Sequence, residues 1–146
     1  MSKNIRVVLV SILLLAGCSD IMPGLGINNS KLTPCPESPN CVNSQAETEI
    51  HYIQPIHYTG TQQEAYGRLM RILASEKRTN ILTVQENYIW VEFTSALLRF
   101  VDDVEFYFPE DQADNKVIHV RSASRVGYSD MGVNRKRIEH IRSKFE

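Results

Sequence analysis

The residues best suited to chemistry fall into three runs. The first is Arg99-Phe100-Val101-Asp102-Asp103-Val104-Glu105. The second is Arg121-Ser122-Ala123-Ser124-Arg125-Val126-Gly127-Tyr128-Ser129-Asp130, and the third is Asn134-Arg135-Lys136-Arg137. Asp102 and Asp103 resemble a carboxylate pair for acid–base work. On a strand, however, adjacent side chains face opposite sides, so the two cannot share a proton, a water or a metal unless a bulge intervenes. Asp102 is in phase with Phe100, Val104 and Phe106 and should face the core, where an ionised carboxylate is costly without hydrogen bonds. Ser122 and Ser124, in phase with Ile118 and Val120 on the next strand, can supply them. The expected result is a buried polar network of Asp102, Ser122 and Ser124 that fixes strand register.

Arg99, Asp103 and Glu105 point to the other face, as do His119, Arg121 and Arg125. Two readings stand. One is a solvated lattice of cross-strand ion pairs, worth little stability. The other is a ligand site in which arginines exceed the local carboxylates. A helix starts just beyond, and its free N–H groups and positive dipole end attract anions. Arg99, Asp103, Arg121, Arg125, Asp130, Asn134 and Arg135 form the candidate ligand-binding set, suited to a phosphate, a carboxylate or a lipid headgroup. No Gly-x-Ser-x-Gly, His-Glu-x-x-His or phosphate-loop pattern is present. His51, His57, His119 and His140 read as surface or hydrogen-bonded residues. No catalytic residue, metal ligand or cofactor is assigned, and catalysis ranks behind binding and structural roles without being excluded.

The elements that must position these residues follow from periodicity. Tyr52 to Tyr58 reads as an edge strand interrupted by Pro55. Thr61-Gln62-Gln63-Glu64 is a capping-box pattern, and Ala65, Leu69, Ile72 and Leu73 behind it share a helical face. Strands are expected at Thr79 to Gln85, Tyr88 to Ser95, Leu98 to Phe108 and Lys116 to Val126. Pro109 to Asn115 is an acidic turn. Met131 to Phe145 closes the chain as a helix, with Asp130 or Ser129 as N-cap. The order β-α-β-β-β-β-α with short turns implies an α+β domain. Its expected form is a single antiparallel sheet of about five strands with two helices on one face.

The N-terminus sets the expected compartment. Lys3 and Arg6 precede Val7 to Ala16, an apolar run of about 10 residues broken by Ser11 and too short to cross a bilayer. Leu15-Ala16-Gly17-Cys18 then looks like a lipobox, where a bacterial lipoprotein receives lipid on its cysteine before cleavage; ordinary secretion is the alternative. Residues 1–17 are thus expected to be a signal peptide, with lipidation at Cys18. Residues 18–33, with Pro23, Gly24, Gly26, Asn28, Asn29 and Ser30, read as a tether, and 34–146 as one domain. Ser19 after the cysteine resembles the signal for transfer to the outer membrane, facing the periplasm.

Cys35 and Cys41 remain, an even pair in an oxidising compartment, flanking Pro36-Glu37-Ser38-Pro39-Asn40. A disulfide is the natural reading. A two-thiolate metal site would need further ligands, and no Cys or His follows until His51. The spacing is not the Cys-x-x-Cys of redox motifs.

The 146 residues are 42% hydrophobic and 23% charged, with a formal net charge of -1. This suits one globular domain. Removing Lys3 and Arg6 makes the remainder more acidic, which argues against nucleic-acid binding. The expected partners are the membrane, through the lipid, and an anionic ligand or envelope protein.

The segment Cys35 to Val42, the three polar runs above and Gly132-Val133-Asn134-Arg135 together resemble the family grouped as domain of unknown function 1499. The resemblance spans about Thr33 to Ile141. It implies that the acid, arginine and serine cluster is a family signature. It implies no reaction. The function classes in play are a binding module, a structural or assembly lipoprotein, and a hydrolase acting on envelope material.

Overall fold

In the structure, a computed structural model, residues 24–110 and 116–146 are described. The signal segment, Cys18 and most of the acidic turn after Pro109 lie outside the described residues. Strands β1 (Ile27–Asn28) and β2 (Lys31–Leu32) form a hairpin. Asn29 and Ser30 both take positive φ, as a two-residue hairpin turn demands. Next come β3 (Cys41–Asn43), β4 (Ile56–His57), α1 (Gln62–Ser75), β5 (Thr79–Val84), β6 (Tyr88–Thr94), β7 (Val101–Tyr107), β8 (Val117–Ser124) and α2 (Val133–Phe145).

The fold is α+β with two helices, as the sequence implies, but the sheet is larger than the single five-stranded one expected. It has six strands in the order β3-β8-β7-β6-β5, with β4 also pairing β8, beside the separate β1-β2 hairpin. All these pairings are antiparallel. The edge strand expected over Tyr52 to Tyr58 is only Ile56–His57, preceded by Pro55, which has no N–H for a ladder. The strand expected from Leu98 begins at Val101: Arg99 takes φ 58°, and Leu98 and Phe100 project from a loop.

Helix α1 starts as its residues dictate. Thr61 Oγ1 accepts from the Glu64 N–H at 3.2 Å, and Glu64 accepts from the Thr61 N–H at 2.8 Å. Both helices bury their apolar stripes on one sheet face. Leu69, Leu73, Ile138, Ile141 and Phe145 meet Ile89, Val104, Phe106, Ile118 and Val120, all essentially closed to solvent.

The opposite face is covered too. Leu32 of the hairpin packs with Tyr88, Tyr107 and Trp90. The folded unit therefore begins before Pro34. Segment 27–32, read from its Gly, Asn and Ser content as tether, closes over the sheet face that carries the charges.

Cys35 and Cys41 form a disulfide, with Cα atoms 5.6 Å apart. Constraining so short a loop stabilises the fold by about 2 kcal/mol in the chain-entropy model. Replacing both cysteines by serine should lower the unfolding free energy by about that amount, with the midpoint falling and the slope rising as the unfolded chain expands, as equilibrium urea unfolding would read.

Candidate functional site

Asp103, Glu105, Arg121 and Arg125 gather on the hairpin side of the sheet and Asp102, Ser122 and Ser124 on the helix side, whereas Arg99, expected with the first group, lies in the loop before β7. On the hairpin side, Glu105 stands directly opposite Arg121 in the β7–β8 register, and their side chains pair at 3.1 Å. Glu105 also accepts from the Tyr88 hydroxyl at 2.8 Å and from the Gly26 N–H at 2.9 Å. The β1-β2 segment is thereby fastened to the sheet. Beside this group, Arg125 reaches diagonally to Asp103, donating from Nε and NH2 at 2.8 and 2.7 Å. Its NH2 also pairs with Glu92. Trp90 donates its indole N–H to Asp103 at 2.8 Å.

This layer is not the solvated lattice weighed above. Glu105 is fully buried, and Asp103 and Arg121 nearly so. Nor do arginines exceed carboxylates: Glu92, Asp103 and Glu105 face Arg121 and Arg125. Hydrogen bonds to Asp103 hold Arg125 more firmly protonated than a free guanidinium. Burial, with the Glu105 charge beside it, pushes the Tyr88 phenol well above its usual range. Arg121 Nε finds no partner among the described residues.

On the helix side, Asp102 pairs with Arg137 of α2 rather than with the serines. Arg137 also donates to Ser122 Oγ at 3.0 Å and Asn134 Oδ1 at 2.6 Å. Asn134 is the hub. It is fully buried, its Oδ1 accepts from Ser122 Oγ, and its Nδ2 donates to the Asn40 carbonyl at 3.0 Å and Ser124 Oγ at 2.9 Å. The network thus locks α2 to β8 and to the chain before β3. The Arg137 guanidinium lies over the Phe93 ring, 4.9 Å from its centroid.

The remaining members of the candidate set are not gathered into one anion site. Arg135 donates to the carbonyls of Tyr52 and Ile50 at 2.7 and 3.1 Å. It sits on α2, across the sheet from Arg121. Arg99 is exposed in the β6–β7 loop. The start of α2 already holds a carboxylate. Asp130 accepts from the Gly132 and Asn134 N–H groups at 2.9 and 2.7 Å, while the formal N-cap is Gly132 in the left-handed region.

Sequence reasoning missed Arg137 as the partner of Asp102, and Tyr88, Trp90 and Glu92 as partners across the sheet. The signal for the last three was available, since they share one face of β6 and that face meets Asp103 and Glu105 in the β6–β7 register.

His119 Nδ1 lies 3.0 Å from Ser44 Oγ, and its ring stacks on Tyr107. Ser44 is buried, and its Oγ accepts from the Val120 N–H at 2.9 Å, so it is not presented to a substrate. Burial lowers the His119 pKa from its ordinary 6.5. The unfolded chain therefore binds this proton first. The His119 share of stability should be complete above about pH 6.5 and decline as pH falls through the folded-state value. NMR titration of its ring protons, with His119→Gln removing that part of the slope, checks the sign.

A groove of ≈ 900 Å³ runs between the hairpin and segment 43–51, touching Leu32, Asn43, Gln45, Ile50 and His51. Neither Asp103 nor His119 opens into it. Among the described residues, no cluster of three or more His, Cys, Asp or Glu is placed to hold a metal.

Fold and site together define an α+β domain built around a buried acid–arginine layer. A family model described as protein of unknown function (DUF1499) matches residues 31–145, from β2 to the end of α2, and the chain belongs to that family. No curated protein matches the chain.

Proposed function

We propose that the chain is a lipid-anchored protein of the bacterial cell envelope whose domain acts by interaction rather than catalysis, and whose acid–arginine signature is internal framework. The observation that carries this reading is the pairing itself. Arg121 with Glu105, Arg125 with Asp103 and Glu92, and Arg137 with Asp102 are paired with one another within the fold. Anion acceptance by the Arg121–Arg125 face would require those pairs to open next to an excess of carboxylate, at the cost of exposing buried charges. For a hydrolase reading, the Ser44–His119 pair among the described residues is an unsuitable nucleophile and base, since Ser44 is buried.

The anchor rests on Lys3, Arg6, the apolar run and Leu15-Ala16-Gly17-Cys18. Ser19 in place of Asp favours the outer membrane, with the domain in the periplasm. Among the described residues no helix is long and apolar enough to cross a membrane.

Growth of cells expressing the full chain with an alkyne-bearing fatty acid tests the anchor. The chain should take up the label and Cys18→Ala should not. An unlabelled chain with Cys18 intact would contradict the proposal.

A further inference from the structure

Two loops leave the same end of the sheet. Loop 95–100 joins β6 to β7, and loop 125–132 joins β8 to α2. They emerge side by side, since Asp102 faces Ser124 and the Arg125 N–H donates to the Val101 carbonyl at 3.1 Å. Their tips are apolar and turned outward. Leu97 is 87% exposed, Leu98 64%, Tyr128 76% and Met131 88%, with Phe100 and Val126 about half exposed.

The backbone holds these side chains out. The Ser95 N–H donates to the Phe100 carbonyl at 2.8 Å, and the Phe100 N–H donates back to Ser95 Oγ at 2.9 Å. Asn40 Nδ2 pins the Gly127 carbonyl at 2.6 Å. Arg99 and Met131 sit at φ 58° and 55°, a left-handed geometry that non-glycine residues rarely adopt. Apolar side chains stand exposed elsewhere too, such as Ile50 and Val84, but six gathered on two adjacent loops mark a surface that something covers.

Cations flank the edge. Arg99 lies between Leu98 and Phe100 and is exposed. Arg78, also exposed, donates from Nε to the Thr94 carbonyl at 3.1 Å, which brings it and its neighbour Lys77 to the same end. Apolar tips bordered by Arg and Lys suit the boundary between acyl chains and anionic headgroups.

The position of the anchor selects the occupant. Gly24, where the described chain begins, is six residues beyond Cys18, a reach of about 20 Å at most. Gly26 is fastened to Glu105. Along β7, Glu105 lies about 13 Å from Val101 at the foot of the loops. The reach from Cys18 therefore exceeds the distance from the fastened point to the loop end. Anchor and loops can meet one bilayer plane, and the anchor holds the loops there at high effective concentration.

We propose that loops 95–100 and 125–132 form a membrane-docking edge that seats on the anionic phospholipid bilayer carrying the chain's own lipid. This rests on the anchor at Cys18. The test uses the full mature chain reconstituted in phosphatidylglycerol–phosphatidylethanolamine vesicles, with its acyl mass read first. Leu97→Trp and Met131→Trp place reporters on the edge. Glu86→Trp places one in the turn between β5 and β6, at the opposite end of the sheet.

With acyl mass present, brominated lipid should quench the two edge reporters by roughly twofold and leave Glu86→Trp nearly unchanged. Leu97→Asp combined with Met131→Trp should relieve the quenching. Acylated protein with unquenched edge reporters overturns the docking edge and leaves the anchor standing. A photocrosslinker at position 97 in cells that captures a protein rather than lipid assigns the loops to a protein and overturns the proposal as well. A chain without acyl mass overturns anchor and docking edge together.

Discussion

Arg121→Met is expected to lower the unfolding free energy by about 3–5 kcal/mol, a large part of the 5–15 kcal/mol that holds a typical domain. Arg121 and Glu105 have side chains 7% and 0% exposed. Removing the guanidinium leaves an ionised carboxylate in a closed layer, with only the Tyr88 hydroxyl and the Gly26 N–H to hold it. The size of the loss comes from that stranded charge more than from the worth of the pair. Arg121→Met combined with Glu105→Gln should therefore recover much of the loss, because a neutral amide oxygen can still accept from Tyr88 and Gly26. Urea unfolding of the two singles and the double measures this coupling. A single Arg121→Met variant within about 0.5 kcal/mol of the original chain, the range of ordinary surface changes, would remove Arg121 from the framework.

The second large effect is expected at Arg137. Its side chain is 12% exposed and faces Asp102 at 8%. Arg137→Met strands Asp102 and withdraws a donor from both Ser122 and Asn134. A loss of about 3–5 kcal/mol is expected here too. Arg137→Lys should restore only part of it, since an ammonium lacks the planar fork that reaches Asp102, Ser122 and Asn134 together and stacks over Phe93. Hydrogen exchange locates the damage. Amides of α2 and of segment 40–43 should lose protection first, since Asn134 ties both to β8. Uniform loss across β5 and β6 would place the network's role elsewhere.

These expectations show what single-sequence patterns carry. Period-two alternation sorted Asp102 from Asp103 and Glu105, and put Arg121 and Arg125 on the side of Asp103, because a strand offers only two faces. Thr61 and Glu64 marked the start of α1, because a hydroxyl and a carboxylate three residues apart satisfy the free N–H groups there. Alternation says which side a residue faces and nothing of what lies over that side. Asp103, Glu105 and Arg121 thus read as a solvated lattice or a ligand site, whereas the hairpin covers them. The hairpin itself was hidden, because Asn29 and Ser30 are turn residues in a stretch where only Leu32 is buried.

Leu98 and Phe100 illustrate the converse error. They are apolar and in phase with Val104, yet the left-handed turn at Arg99 cuts Leu98 off from the strand, and Phe100, just before β7, is half exposed. Residues that fit the core pattern and are exposed instead are the ones that point to a docking edge. Arg137 was unreadable for another reason. Its partner Asp102 lies 35 positions away, and no local spacing couples a strand carboxylate to a helix two elements further along the chain.

The central claim is that the signature arginines are committed to carboxylates of their own fold. Two-dimensional NMR of the guanidinium Nε–Hε groups of Arg121 and Arg125, followed while inorganic phosphate is added to the full chain, reads this directly. The expected result is that the Arg125 signal, donated to Asp103, and the Arg121 signal, shut within the layer, stay in place through the titration. A saturable shift of either signal, with the Arg121 shift lost in Arg125→Lys, would show that phosphate displaces the carboxylates and would make this face a ligand site after all.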